Sequence, residues 1–110
     1  MPTLHFAIFA TDRPGCAATR ERLREIHRAY IRTPDPDDVV AALGGPTLDA
    51  DGRMNGTLLV VRAPTLAAAR RFIEADPYSR NGLFENVEVR AWRWGLGLSA
   101  DLDSATNAPA

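Results

Sequence analysis

The sequence predicts an α+β sandwich: a four-stranded antiparallel sheet with two helices on one face. Three observations predict it. The hydrophobic period switches between two and about 3.6 residues in the order β-α-β-β-α-β. The two middle strands are joined by the turn pairs Asp51-Gly52 and Asn55-Gly56 and not by a helix. The first and third strands carry apolar residues on both sides, so neither sheet face is purely polar.

Each element follows in order. Leu4 to Ala10 reads as a central strand, with Leu4, Phe6 and Ile8 on one side and His5, Ala7 and Phe9 on the other. Thr11-Asp12-Arg13-Pro14-Gly15 forms a loop by its breakers. A helix runs from Ala17 or Thr19 to Arg32, its inner face set by Leu23, Ile26, His27 and Tyr30, and Thr33-Pro34-Asp35-Pro36 ends it. Val39 to Gly45 forms the second strand, stopped by Gly44-Gly45-Pro46, although Ala41-Ala42-Leu43 also suits a helix. A hairpin with a long polar tip leads to the third strand, Thr57 to Arg62. Pro64-Thr65 opens the second helix, whose inner stripe is Leu66, Ala69, Phe72 and Ile73 and which stops at Asp76, before Pro77. Glu85 to Trp94 is the last strand, in which Val87, Val89 and Ala91 alternate with Glu88, Arg90 and Trp92.

Two β-α-β crossovers of this kind give the ferredoxin-like arrangement. Its helices cover one face of the sheet, and the apolar residues of the other face call for a partner. A second copy, sheet against sheet about a two-fold axis, is the economical one. Residues 1–96 are read as one domain, and 97–110 as a disordered tail.

Composition removes several function classes. The chain has 110 residues and a formal net charge of -1, so no basic field draws nucleic acid or an anionic membrane. All of its 13 basic residues are arginine, which reads as coding bias in an Ala- and Arg-rich chain rather than as an anion-binding feature. Cys16 is the single cysteine, so no internal disulfide forms. Two histidines and one cysteine make no metal-ligand spacing. No Gly-rich phosphate loop or Gly-x-Ser-x-Gly elbow occurs, and a cofactor is not expected. Without a membrane-length apolar run or a basic-then-apolar leader, a cytoplasmic location is expected.

Two residues stand out. His27 lies on the apolar side of the first helix, and Asp76 ends the second. On the residues alone, a packed histidine and an Asp-Pro turn account for them better than a site does.

Arg24-x-x-His27, Gly45-Pro46, Ala75-Asp76-Pro77-Tyr78 and Gly82-Leu83-Phe84-Glu85 with Val87-x-Val89 occur in an order and spacing that resembles the YciI-like, or YCII-related, family, from about Leu4 to Trp94. The resemblance implies a dimeric α/β barrel built on the ferredoxin-like fold and a His–Asp active site at His27 and Asp76. Some relatives act in aromatic catabolism, one as a dehydrochlorinase; shared fold does not imply shared function. The chain departs from the family pattern at Thr33-Pro34-Asp35-Pro36 and at Arg28, where leucine is more usual.

With the resemblance, His27 becomes a general acid–base, because imidazole titrates near ~6.5 and a carboxylate on its other nitrogen fixes the tautomer. Asp76 either grips the imidazole or contacts the ligand. Arg24, one turn before His27, can hold a substrate carboxylate or pair with a surface acid. Tyr78 and Phe84 can wall a pocket or fill the core. Trp92 and Trp94 read first as dimer-interface packing and second as ligand stacking. His5 is given no catalytic part. The expectation is an enzyme that isomerises, or eliminates from, a small cyclic or aromatic-derived acid or ketone. The alternative is a non-catalytic dimeric module that binds a small molecule or supports another enzyme.

Overall fold

The computed structural model describes residues 4–33 and 38–96. Its elements are β1 (Leu4–Asp12), α1 (Ala17–Ile31), β2 (Val40–Leu48), β3 (Met54–Ala63), α2 (Leu66–Glu74), α3 (Pro77–Arg80) and β4 (Phe84–Trp92). The sheet order is β2-β3-β1-β4, with every neighbouring pair antiparallel. This is the ferredoxin-like arrangement. The expected tail, 97–110, lies outside the described residues, as do Pro34 to Asp37.

The register explains where the core sits. Ile8 faces Leu59 on one side and Val89 on the other. Phe6, Ile8 and Ala10 are buried with Leu59, Val61 and Val89 beneath Leu23, Phe72 and Ile73 of the helices. His5, Ala7 and Phe9 turn to the opposite face with Leu58 and Val60, because successive strand side chains alternate. There Phe9, Leu43 and Trp92 are exposed. Among the described residues, no helix is long and apolar enough to cross a membrane.

Several expectations need correction. β2 runs through Gly44-Gly45-Pro46 to Leu48. It is an edge strand, so Pro46 costs no necessary ladder bond. Asn55-Gly56 lies inside β3 and makes no turn. The hairpin tip is short: Asp49 N–H donates to the Arg53 carbonyl at 2.8 Å, and Gly52 takes a φ of 81°. A Cβ on Gly56 would collide with the Ala10 carbonyl oxygen of β1, so this glycine serves close strand approach. Ile26 and Leu66 are exposed, since the buried stripes centre on Leu23 and His27 in α1 and on Ala69 and Phe72 in α2. Within the expected Pro64-Thr65 opening, Thr65 is the cap of α2, its hydroxyl accepting from Ala68 N–H at 3.0 Å. β4 begins at Phe84 and ends at Trp92, leaving Trp94 beyond it.

Candidate active site

The local sequence places Asp76. Pro77 occupies the first position of α3 and disfavours helical geometry in the residue before it. Asp76 therefore takes φ -59° and ψ 137° between two helices and becomes the N-cap of α3. Its Oδ1 accepts from Tyr78 N–H at 2.8 Å. The other end of α3 is closed by a Schellman turn: Gly82 takes φ 72°, Gly82 N–H donates to Ser79 and Leu83 N–H to Tyr78. The side chain of Leu83 is fully buried. Arg13 ties this turn to the end of β1, with its N–H donating to the Leu83 carbonyl at 2.8 Å and its Nε to Gly82 at 3.0 Å.

α3 packs against α1. His27 Nδ1 donates to Asp76 Oδ2 at 2.8 Å, with Oδ1 at 3.0 Å. Asp76 is 0% exposed and His27 7%. The same carboxylate thus caps a helix turn and holds an imidazole. His27 also stacks on Tyr78, with ring centroids 4.0 Å apart and planes 15° apart. Nδ1 is committed to Asp76, so Nε2 at the opposite corner of the ring is the nitrogen left for the cleft that His27 lines.

That cleft has a volume of about 210 Å³ and lies between α1 and the β2–β3 edge. Arg20, Arg24, His27 and Tyr78 line one part of it; Pro46, Met54, Thr57 and Leu59 line another. Arg20 is a fixed wall. Its Nε and Nη2 form a two-pronged pair with Asp12 at 2.7 and 2.9 Å, and Nη2 also donates to Thr57 Oγ1 at 2.8 Å. Burial alone would lower the Arg20 guanidinium, but the Asp12 carboxylate more than offsets this and keeps it above its ordinary value. The Arg20 charge sits 4.7 Å from the centre of the Tyr78 ring. Burial pushes the Tyr78 phenol up, with Arg20 pulling the other way, so this residue remains a neutral phenol near neutral pH.

The structure brings His27, Asp76, Arg24 and Tyr78 together. Arg24 pairs with Glu21 on its own helix and reaches Met54 Sδ at 3.9 Å. Phe84 does not line the cleft. It is buried in the core and packs edge-on against Tyr78, centroids 5.8 Å apart, so it supports the pocket wall from behind. Trp92 and Trp94 lie far from this site in the fold, on the open sheet face, 4.6 Å apart and both edge-on to His5. Arg20, Asp12, Thr57 and Arg32 have no part in the site expected from sequence, and Arg28 enters there only as a departure from the family pattern. The available signal was the repeat of arginine at positions 20, 24, 28 and 32, one per helical turn.

Residues 4–93 match the YCII-related domain.

The chain belongs to the YCII-related domain family.

A protein of solved structure, the 5-chloro-2-hydroxyhydroquinone dehydrochlorinase of Burkholderia phenoliruptrix in complex with 2,5-dihydroxybenzoquinone, is 32% identical, with a TM-score of 0.74 over 84% of this chain and 96% of that one. An uncharacterized protein of Haemophilus influenzae is 24% identical over 82% of this chain and 97% of its own length. A Pseudomonas aeruginosa structure at 17% identity and a TM-score of 0.52, covering 87% of this chain and 97% of that one, shares the fold.

Proposed function

We propose that this YCII-related chain is an acid–base enzyme in which His27 moves the proton and Asp76 orients it. The observation that carries this reading is the Nδ1–Asp76 bond at 2.8 Å, which leaves Nε2 to a cleft. In the neutral imidazole, Nδ1 keeps its hydrogen on Asp76 and Nε2 carries the lone pair. Nε2 takes a proton from an atom next to a substrate carbonyl, and the bonding electrons move to the carbonyl oxygen. Asp76 stabilises the imidazolium that forms. Two outcomes balance. His27 returns the proton to another carbon, giving isomerisation, or a neighbouring leaving group departs with its electron pair, giving elimination. Support for the second comes from the similar dehydrochlorinase. The substrate class is a small cyclic or aromatic-derived molecule held beside Arg24 and Tyr78.

The assay screens hydroxylated and chlorinated hydroquinones and cyclic enones for turnover. His27→Ala lowers the rate by about 10²–10⁴-fold and Asp76→Asn by a comparable factor, the range for a lost general acid–base. Full activity in a well-folded His27→Ala protein would refute the reading.

The assembly proposed with it is a homodimer through the open sheet face. Its support is the apolar depression of about 550 Å³ there, lined by Phe9, Leu43, Leu58, Val60 and Trp92 among others.

A further inference from the structure

Arg20, Arg24, Arg28 and Arg32 recur at every fourth position of α1 and its C-cap, and all four line the cleft with His27. Residues four apart share a helix face, so the repeat builds a continuous positive stripe on the wall that holds His27. Among the described residues no aspartate or glutamate lines the cleft. Asp76, the nearest acid to His27, is sealed behind the imidazole.

The four arginines are not equivalent. Arg20 is already neutralised by the buried Asp12 and serves as structure. Among the described residues, Arg24 and Arg28 pair with Glu21 and Glu25, one turn away on their own helix, whose side chains are 67% and 82% exposed. Exposed pairs of this kind contribute about 0–1 kcal/mol and exchange readily with a better acceptor. No described acid pairs with Arg32. Among the described residues, these three guanidinium groups line the cleft with no buried acid holding them. The facing surface has a different chemistry: Pro46, Met54 and Leu59 are apolar, Gly44 and Gly45 present backbone alone, and Ile31 adds an apolar side chain from the end of α1.

We infer that the cleft selects a small organic acid, its carboxylate held by Arg24, Arg28 and Arg32 and its carbon body resting on Ile31, Pro46, Met54 and Leu59. This rests on the proposed acid–base reading of the same site and names the class of molecule on which His27 acts. An anion fixed along α1 within a turn of His27 presents the adjoining carbons to Nε2. The carboxylate also keeps the ligand from binding end for end, since the β2–β3 side offers no charge to receive it.

The test is calorimetric titration with benzoate, salicylate and cyclohexanecarboxylate, each beside its neutral amide, and with inorganic phosphate. At least one carboxylate binds about tenfold or more tightly than its amide, with an affinity that falls as salt rises. Arg28→Gln with Arg32→Gln weakens that binding by about tenfold or more, whereas Arg93→Gln, which removes the same charge from an exposed position outside the cleft, leaves it unchanged. No carboxylate binding, equal binding of acid and amide, phosphate binding as tight as the best carboxylate, or insensitivity to the double substitution would each overturn the inference. The two readings separate in the His27→Asn protein. Retained carboxylate binding with turnover lost supports both, whereas carboxylate-blind binding with His27-dependent turnover overturns this inference alone.

Discussion

At Asp76, Pro77 forces extended backbone, and the carboxylate that results meets both the Tyr78 amide and the His27 ring. The turn-forming and site-forming readings of this residue are the same physical arrangement. Tyr78 shows the same economy. Its amide is capped by Asp76, its ring packs against His27, and Arg20 lies over it. Burial raises its phenol above the ordinary 10.0, opposed by the Arg20 charge. The folded value lies above the unfolded one, so the native chain keeps a proton that the unfolded chain releases. The associated stability is whole below about pH 10 and is lost as pH rises toward the folded value. In Tyr30→Phe protein, which carries Tyr78 as its single tyrosine, an alkaline titration followed by phenolate absorbance has its midpoint above 10.0. A midpoint at or below that value would contradict the burial argument.

Among the elements, α1 carries most of the site and was the most legible in sequence. Its span, its Leu23–His27 inner face and its exit near Arg32 follow from a period and a breaker. The arginine repeat was equally visible, but a chain whose every basic residue is arginine makes such a pattern look compositional. Only the cleft between α1 and the β2–β3 edge shows that the stripe faces something. α3 was illegible as a helix because four residues are too few to display a period. In the strands, glycine misled the reading. Asn55-Gly56 has the composition of a tight turn, yet Gly56 lies in the β3 ladder opposite Thr11 and Thr47. Gly56→Ala would push a methyl into the Ala10 carbonyl and part β3 from β1, costing about 1–3 kcal/mol. Denaturant unfolding measures this, and an unchanged midpoint would show that the strands can separate freely.

Over the whole molecule, the sheet has one face covered by helices and one face that combines Phe9, Leu58, Val60 and Trp92. Such a patch is what a sheet-to-sheet homodimer would bury. Phe9 stands at its centre, on the inner strand β1, with Leu58 opposite on β3 and Glu88 on β4. Phe9→Glu places a charge there without disturbing the helix-side core, since neighbouring Ile8 and Ala10 point the other way. Sedimentation of the wild-type chain gives a dimer and of Phe9→Glu a folded monomer. A wild-type monomer, or an undisturbed dimer in the variant, would remove the open face as the interface.

By itself the sequence determined the order of the four strands and two longer helices, the antiparallel sheet and its covered face, and through its family resemblance it drew out His27 and Asp76 as candidates. Those depend on local period, on breakers and on residue chemistry, all of which act over a few positions. The tertiary structure decided what lies beside what. It joined His27 to Asp76 across 49 positions, set Arg20 between Asp12 and Thr57, and moved Phe84 from the pocket wall to its support. It also turned an arginine repeat into one wall of a cleft. Contacts of that kind depend on how α1, α3 and the β2–β3 edge pack, and no local pattern encodes that packing.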